Sequence, residues 1–402
     1  MTTRSVVMAN MPSVHRERES LLPVYKRFPI EIVRGAGTQL FAADGRGYLD
    51  FTSGIGVNAL GYGDAGIADA ARAALENGVL HTSNLFQSAP GQALANALVA
   101  RSFASSVFFC NSGAEANEGA FKFVRRWAGD VGGGDKHEII ALRGSFHGRL
   151  FATLAATDRP QYRAPFRPLA GGISIAERDL GKLARMMDHR IVAAVIVEPV
   201  QGEGGVRVLE PAFLSGLREL TRERNVALIF DEVQCGLGRT GWLFAYERAD
   251  VVPDVVTLAK PLAGGLPMGA ILMTSEIAAA VEPGDHGSTF GGGPFVAAVA
   301  KHVFDRLSDP ALLARVRENG AWFGESLRAL AARREAIRAV RGVGYLWGMD
   351  VTRPAGEIVA RAREAGLLIL TAGDYTLRLL PPLIATREEL AHGLELLEGA
   401  LS

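Results

Sequence analysis

The sequence is short of cysteine, of net charge and of long apolar runs. Only two cysteines, Cys110 and Cys235, occur in 402 residues. Two cysteines are too few for a disulfide framework, and they are typical of a protein of the reducing cytoplasm. Lysine plus arginine and aspartate plus glutamate both number 43, so the formal net charge is zero. A neutral chain has no global field that would recruit nucleic acid or an anionic membrane.

No apolar stretch is long enough to cross a bilayer. The longest runs, such as residues 191–197, suit a buried strand. The first twenty residues contain five charged side chains and no apolar block of the kind that forms a signal peptide. With 48% hydrophobic residues, the chain can bury a large core. We therefore expect a cytoplasmic protein that binds neither membrane nor nucleic acid.

The middle of the chain alternates between strand-like and helical segments. Continuous β-branched runs separated by helices are typical of an α/β fold with a mostly parallel sheet covered on both faces. The expected strands are 107–110, 138–142, 191–197, 227–230, 255–258 and 269–273, and the expected helices are 89–100, 113–127 and 211–223.

Both ends of the chain have a different pattern. Residues 38–51 predict a pair of strands joined by a turn at Asp44-Gly45. The C-terminal part predicts helices at 311–335 and 355–365, with short strands near 344–351 and 376–380. We therefore expect a large domain at 53–309, and a smaller α+β domain formed by the N-terminal segment 1–52 together with 310–402.

Two charged residues follow apolar strands in the middle region. Asp231 follows the strand at 227–230, and Lys260 follows the strand at 255–258. The carboxyl ends of such strands open onto the ligand crevice. A carboxylate there keeps a cofactor's ring nitrogen protonated, and a buried lysine has the lowered pKa that a Schiff-base nucleophile requires. Either residue alone could be a solvated strand end, but the pair favours a cofactor site.

Two further segments carry polar groups after strands. Asn111–Ala114 lies between a strand and a helix, where free N–H groups and the Ser112 hydroxyl suit a phosphate, although serine is also a common N-cap. Phe146 could stack on a planar ring, and Arg149 offers a bidentate donor for a carboxylate. We expect His147 to support its neighbours and not to act as a general base.

Seven motifs follow one another along the chain in a fixed order: NSGAEAN (111–117), SFHGR (145–149), EPVQGEGG (198–205), DEVQCGLGRTG (231–241), Lys260, HGSTFGG (286–292) and LRLLPPL (377–383). Together they resemble the class III (ω-amino) aminotransferases of fold type I, over about residues 25–383. Within that family the acetylornithine aminotransferases are most similar. The resemblance implies the pyridoxal 5′-phosphate (PLP) dependent transferase fold and a transaminase of arginine biosynthesis.

The resemblance also implies how the cofactor is held. Lys260 would form the Schiff base and later carry the proton, while Asp231 would pair with the ring nitrogen. Gln234 would contact the ring hydroxyl, and Phe146 would stack on the ring. The phosphate would be bound by Ser112, Gly113 and Ala114, joined by Ser288 and Thr289 of a second subunit. A homodimer with shared active sites is therefore implied.

Substrate residues are implied in the same way. Arg378 would receive the α-carboxylate of glutamate or 2-oxoglutarate, and Glu203 would pair with Arg378 when an ω-amino donor is bound. Arg149 would hold the other carboxylate. Tyr25 falls where the family keeps a tyrosine near the substrate carboxylate. Ile55 falls where enzymes for free ornithine have a second tyrosine, so an uncharged acyl amide is favoured there.

The implied reaction transfers the δ-amino group of N²-acetylornithine to 2-oxoglutarate. Alternatives on the same scaffold are an aminotransferase for ornithine, γ-aminobutyrate or a succinylated or carrier-linked diamine, and an aminomutase, decarboxylase or racemase. A non-enzymatic effector-binding module is a distant alternative. Three residues depart from the family pattern: Tyr62 and Asp64 replace two histidines, and Gly293 replaces an asparagine.

Overall fold

The computed structural model describes residues 20–402. Its strands are β1 (Ile32–Ala36), β2 (Gln39–Ala42), β3 (Gly47–Asp50), β4 (Ser106–Cys110), β5 (Glu138–Leu142), β6 (Ile173–Ala176), β7 (Val192–Val197), β8 (Val200–Gln201), β9 (Arg207–Val208), β10 (Ala227–Asp231), β11 (Val255–Leu258), β12 (Gly269–Met273), β13 (Ile337–Val343), β14 (Leu346–Val351), β15 (Leu367–Leu368), β16 (Leu370–Thr371) and β17 (Thr376–Leu379).

The helices lie between and after these strands. They are α1 (Ser53–Gly56), α2 (Ala65–Glu76), α3 (Ala89–Ala100), α4 (Gly113–Gly132), α5 (Phe151–Ala155), α6 (Pro160–Arg163), α7 (Leu180–Met186), α8 (Pro211–Glu223), α9 (Ser275–Ala279), α10 (Pro294–Leu307), α11 (Pro310–Ala332), α12 (Ala355–Glu364) and α13 (Arg387–Leu401), with short 3₁₀ turns at Ala164–Phe166, Ala245–Ala249 and Lys260–Ala263. Within residues 20–402, none of the helices has the length and apolar character to span a membrane.

A seven-stranded sheet in the order β4-β12-β11-β10-β7-β5-β6 forms the centre of the fold. Neighbouring strands are parallel except for β12, which runs antiparallel to both β11 and β4. The connection between β11 and β12, residues 259–268, is shorter than the dozen or more residues that a parallel crossover needs. The expectation of an α/β fold with a mostly parallel sheet is confirmed.

The central strands are buried on both faces. Every residue of β7 and β10 is buried, as expected for a sheet covered by helices on both sides. Successive side chains point to opposite faces. Ile196 and Ile229 join the cluster under α4, whereas Val195 and Leu228 join the larger cluster that includes α10 and α11. Apolar clusters therefore pack against both faces of the sheet. The polar residues Asp231 and Lys260 lie at the ends of its strands.

The two chain ends meet in a small sheet. Strands β1, β2 and β3 form a meander, and β15 of the C-terminal part pairs parallel with β3, Leu367 opposite Leu49. A second small sheet has the order β13-β14-β17-β16. The pairing of β15 with β3 supports the proposed small domain made from 1–52 and 310–402. The part of that segment before residue 20 lies outside the described residues.

The residues that depart from the family pattern have their own contacts. The Tyr62 hydroxyl donates to Asp50 Oδ2 at 2.6 Å. Asp64 caps α2, accepting from the Ile67 N–H at 3.0 Å, and its carboxylate also pairs with Arg306 at 3.0 Å. Gly293 occupies the N-cap of α10. At Tyr62 and Asp64, tyrosine and aspartate therefore make specific local contacts.

Candidate active site

A cavity of about 390 Å³ lies at the carboxyl ends of β10 and β11. Nine of the residues to which the resemblance gives a catalytic, cofactor or substrate role line it together: Ser112, Gly113, Ala114, Phe146, Arg149, Glu203, Asp231, Gln234 and Lys260. Five others are not in its lining: Tyr25, Ile55, Ser288, Thr289 and Arg378.

Lys260 follows β11 and begins the 3₁₀ turn Lys260–Ala263. Its backbone has a positive φ of 29°, a conformation that costs free energy in any residue with a side chain and that concentrates at functional sites. Burial lowers the pKa of the Lys260 amine, and the nearby positive charge of Arg378 lowers it further. The site therefore favours a neutral, nucleophilic amine.

Asp231 ends β10 with its carboxylate fixed by three donors. Its Oδ2 accepts from Asn117 Nδ2 and contacts His147 Nδ1, both at 2.7 Å, and its Oδ1 accepts from the Val233 N–H at 3.0 Å. The Thr257 hydroxyl donates to Asn117 Oδ1 at 2.7 Å and orients that amide. A buried carboxylate held in one geometry can stabilise a cationic ring nitrogen placed against it.

Gln234 lies between Asp231 and the C-terminal strand β17. Arg378 Nη1 donates to Gln234 Oε1 at 3.0 Å, which leaves the amide nitrogen as the group that could donate to a ring hydroxyl. A Cβ at Gly202 would lie 1.7 Å from the same Oε1. Glycine is therefore required at position 202 for the Gln234 side chain to reach Arg378.

Glu203 and Arg378 form an ion pair at one side of the cavity. Arg378 Nη1 lies 2.7 Å from Glu203 Oε1, and the Arg378 side chain is only 3% exposed. The backbone around Glu203 is held by two further arginines. Arg159 Nη2 donates to the Glu203 carbonyl at 2.5 Å, and Arg341 Nε donates to the Gly205 carbonyl at 2.6 Å.

The N-terminus of α4 forms the opposite side of the cavity. Ser112 is its N-cap, and the Ser112 hydroxyl accepts from the Glu115 N–H at 3.2 Å. The N–H groups of Gly113 and Ala114 lie in the first turn, where a helix provides them no acceptor. A Cβ at Gly113 would lie 2.6 Å from Val233 Cγ1. This close-packed turn with free N–H groups suits a phosphate.

Ser288 and Thr289 line a separate, broader cavity of about 1050 Å³. Within one chain the Ser288 hydroxyl accepts from Asn111 Nδ2 at 3.2 Å, and the Ser288 carbonyl accepts from Asn84 Nδ2 at 2.7 Å. Ser288 therefore lies beside the residue that precedes the Ser112 turn. The role of these two residues in a second subunit stays a prediction.

Phe146 and Arg149 follow β5 on the loop that faces the α4 N-terminus. The Phe146 N–H donates to Glu198 Oε1 at 2.9 Å. Arg149 is exposed, and its guanidinium carbon lies 3.6 Å from the centre of the Tyr162 ring. The two residues therefore stand at the mouth of the cavity, with the arginine available to a solute.

Tyr25 and Ile55 lie on exposed segments. Tyr25 is 72% exposed and Ile55 is 46% exposed. Ile55 lies in α1 with a φ of 66°, which is costly for a β-branched residue. A Cβ at the neighbouring Gly56 would lie 3.8 Å from Lys260 Cδ. The α1 turn therefore adjoins Lys260, whereas Tyr25 is not brought to the cavity within one chain.

Glu198 opens the recognised motif at 198–205 but was given no role, yet it lines the cavity directly after β7. Burial raises the pKa of its carboxyl well above the usual range, and the nearby negative charge of Asp231 adds to the effect. Asp231 was identified because it follows an apolar strand. Glu198 follows the apolar strand β7 in the same way, so the same sequence signal would have identified Glu198. Asn117 lay within a recognised motif but was given no role.

Comparison with known proteins gives consistent matches over nearly the whole chain. The family model described as aminotransferase class-III matches residues 23–401. The mitochondrial acetylornithine aminotransferase of Alnus glutinosa is 44% identical over 384 residues, covering 94% of this chain and 84% of that protein.

Solved structures agree with these matches. The N-acetylornithine aminotransferase of Stenotrophomonas maltophilia K279a superposes with a TM-score of 0.82 at 38% identity, covering 94% of this chain and 96% of that one. The ornithine aminotransferase of Toxoplasma gondii superposes with a TM-score of 0.93 at 30% identity, covering 96% and 93%, and it has PLP at partial occupancy in its active site.

Proposed function

Because the chain belongs to the class III aminotransferase family, we propose that it transfers the δ-amino group of N²-acetylornithine to 2-oxoglutarate. The products are N-acetylglutamate 5-semialdehyde and glutamate, as in arginine biosynthesis. The proposal depends on one observation. Lys260, Asp231 and Glu203 line the same cavity, and Glu203 forms an ion pair with Arg378. The similarity to acetylornithine aminotransferases supports the choice of donor.

The residues of the cavity fit PLP. The free N–H groups at the start of α4 suit its phosphate, and the fixed Asp231 carboxylate suits its ring nitrogen. Phe146 borders the same cavity and offers a ring face for stacking. When bound, the cofactor supplies an electron sink that makes the hydrogen on the amine-bearing carbon acidic.

Lys260 has two tasks in this proposal. Its lowered pKa leaves the amine free to hold the cofactor covalently. With the donor's amine bound in its place, Lys260 Nζ would be the base that takes the proton from the amine-bearing carbon and the acid that gives it back. The acceptor keto acid then undergoes the same steps in reverse order, so the kinetics are ping-pong.

The charged side chains select the two substrates. Arg149 binds the α-carboxylate of N²-acetylornithine, which leaves the δ-amine directed at Lys260. Glu203 meanwhile neutralises Arg378, so that Arg378 does not attract a carboxylate. Glutamate and 2-oxoglutarate carry two carboxylates and need both arginines, so Glu203 must release Arg378 in the second half-reaction. Ile55 lies in the α1 turn, whose Gly56 adjoins Lys260. If the donor reaches this turn, an apolar Ile55 would favour an uncharged acyl amide over a second ammonium group.

We also propose a homodimer, with Ser288 and Thr289 contributed to the partner's phosphate site. Three large apolar side chains are exposed near these residues within one chain: Leu85 is 91%, Phe86 70% and Phe290 65% exposed. Leu85 and Phe86 line the broad cavity of Ser288, and Phe290 directly follows Thr289 in the sequence. A cluster of exposed apolar groups is typical of a protein interface.

The two buried free cysteines support a reducing, cytoplasmic location.

A donor comparison tests the proposed function. Values of kcat/KM are measured for N²-acetylornithine, N²-succinylornithine, ornithine and γ-aminobutyrate, with 2-oxoglutarate as acceptor and glutamate formation as the signal. We expect N²-acetylornithine to give the highest value. A higher value for ornithine or γ-aminobutyrate would refute the donor but not the family chemistry, and absence of glutamate formation would favour a mutase, decarboxylase or racemase.

A further inference from the structure

The guanidinium of Arg149 rests on an aromatic ring. Its central carbon lies 3.6 Å from the centre of the Tyr162 ring and 5.7 Å from that of Phe146. At 3.6 Å the guanidinium must lie nearly flat on the tyrosine, because a tilted group would bring its nitrogens into steric overlap with ring carbons. The contact therefore uses the face of the guanidinium and leaves its N–H edge unused.

No protein acceptor within residues 20–402 engages that edge: Arg149 takes part in none of their hydrogen bonds or ion pairs. Other arginines around the site are bound to protein acceptors, for example Arg159 to the Glu203 carbonyl and Arg378 to the Glu203 carboxylate. Arg149 alone of these three combines a fixed face with free donors. A planar fork of this kind matches the two oxygens of a carboxylate.

Tyr162 is itself held in place from two sides. It lies in the short helix α6, where its N–H donates to the Arg159 carbonyl at 2.9 Å. The Phe146 ring meets it edge to face, with centres 6.4 Å apart and planes at 86°. Phe146 lines the cavity, and Arg159 is bound to Glu203. The tyrosine is therefore anchored at its backbone, and its ring packs against Phe146 on one side and Arg149 on its face.

We infer that Tyr162 is a positioning residue for substrate recognition: its ring holds Arg149 flat so that the free N–H edge receives the substrate carboxylate. This inference deepens the proposed function, on which it rests for the identity of the donor. An exposed arginine without a contact surface samples many rotamers, and binding must then order it. Tyr162 provides that order in advance, which lowers the cost of binding the carboxylate.

The test compares two variants with two donors on the cofactor-loaded enzyme. Tyr162→Leu removes the aromatic surface, and Tyr162→Phe keeps it. N-acetylputrescine has the chain and acyl group of N²-acetylornithine but lacks the α-carboxylate. We expect Tyr162→Leu to lower kcat/KM for N²-acetylornithine about threefold to thirtyfold, mainly through KM, the range that a stacked cation contributes. The value for N-acetylputrescine should change less than about twofold by the same reasoning.

A binding measurement supplements the kinetics. Glutarate is a dicarboxylate that cannot react, and its dissociation constant is obtained by calorimetry. The constant should rise in Tyr162→Leu and stay near the wild-type value in Tyr162→Phe. An equal loss for both donors in Tyr162→Leu would show general damage and overturn the inference, as would a loss in Tyr162→Phe as large as that in Tyr162→Leu.

The proposed function can fail separately. A wild-type enzyme that prefers ornithine or γ-aminobutyrate to N²-acetylornithine would refute the donor, yet the glutarate affinities of the three proteins would still decide the role of Tyr162. If the wild type prefers N²-acetylornithine and the leucine variant keeps both the donor ratio and the glutarate affinity, the inference alone is wrong.

Discussion

Arg378 Nη1 lies 2.7 Å from Glu203 Oε1, and the same nitrogen donates to Gln234. The arginine is almost fully buried, whereas the Glu203 side chain is 27% exposed. A buried guanidinium without a counterion is costly, so one carboxylate must always be near it. The proposed function makes Glu203 and the α-carboxylate of a substrate alternatives for one position beside Arg378. The more exposed partner, Glu203, is the one that can leave.

Glu203→Ala should favour the glutamate half-reaction. Without its protein counterion, Arg378 is open to an α-carboxylate, so kcat/KM for glutamate should rise about tenfold relative to that for N²-acetylornithine, equivalent to about 1.4 kcal/mol. Single half-reactions are followed by the change in cofactor absorbance. The control is Glu219→Ala on the exposed surface of α8, which should keep the wild-type ratio. An unchanged ratio in Glu203→Ala would contradict the switch.

Lys260→Ala should abolish covalent attachment of the cofactor. Among the described residues that line the cavity, Lys260 is the one lysine, and burial lowers the pKa of its amine. Loss of the proton carrier should reduce transamination at least about a hundredfold. Attachment is measured as the gain in intact protein mass after borohydride treatment with PLP present. The control Lys182→Ala alters an exposed lysine of α7 and should retain the mass gain. A mass gain in Lys260→Ala would assign the bond to another residue.

Much of the central fold could be predicted from apolar runs alone. Strands β5, β11 and β12 occupy the residues expected for them, because each is a short, mostly apolar run of strand length. Strand β6 was missed because it is a short edge strand. Helix α4 continues to Gly132, beyond the expected residue 127. The direction of β12 depends on its connection to β11 and cannot be derived from the strand itself.

The candidate site was predictable where it depends on strand ends. Asp231 and Lys260 meet in one cavity because parallel strands end at the same edge. Tyr162 gave no signal, since its contact with Arg149 joins a loop to a four-residue helix that is too short to show a periodicity. The bond from Arg341 to Gly205 joins residues 136 positions apart, and only the folded chain brings them together. The roles that family resemblance assigns to Asp231, Lys260 and the other site residues stay predictions.

Glu198→Gln should change how stability depends on pH. Burial raises the pKa of Glu198 well above its ordinary value of 4.5, so the folded state keeps a proton that the unfolded state releases. Its contribution to stability is present below pH 4.5 and is lost as the pH rises toward the folded pKa. The glutamine amide is uncharged at every pH and can still accept from the Phe146 N–H.

The unfolding free energy of Glu198→Gln minus that of the wild type should therefore increase with pH above about 4.5 and then level off. It is measured by urea denaturation at a series of pH values, with the cofactor concentration held constant because bound ligand adds stability. A difference that is constant across the series would show that the pKa of Glu198 is the same in the folded and the unfolded protein, and would contradict the raised pKa.

Phe86→Glu should dissociate the proposed homodimer. Phe86 is 70% exposed in one chain and lines the same broad cavity as Ser288 and Thr289. If a second subunit covers this surface, the new carboxylate would be buried without a partner, at a cost of several kcal/mol. Light scattering should then show a monomer at concentrations where the wild type is a dimer. The variant should also bind PLP more weakly, because it lacks the phosphate contacts of the second subunit.

Val131→Glu is the matched control, since Val131 is exposed near the far end of α4, about 27 Å along the helix from Gly113. That variant should remain dimeric, and a Phe86→Glu protein that is dimeric with wild-type affinity for PLP would refute the proposed interface.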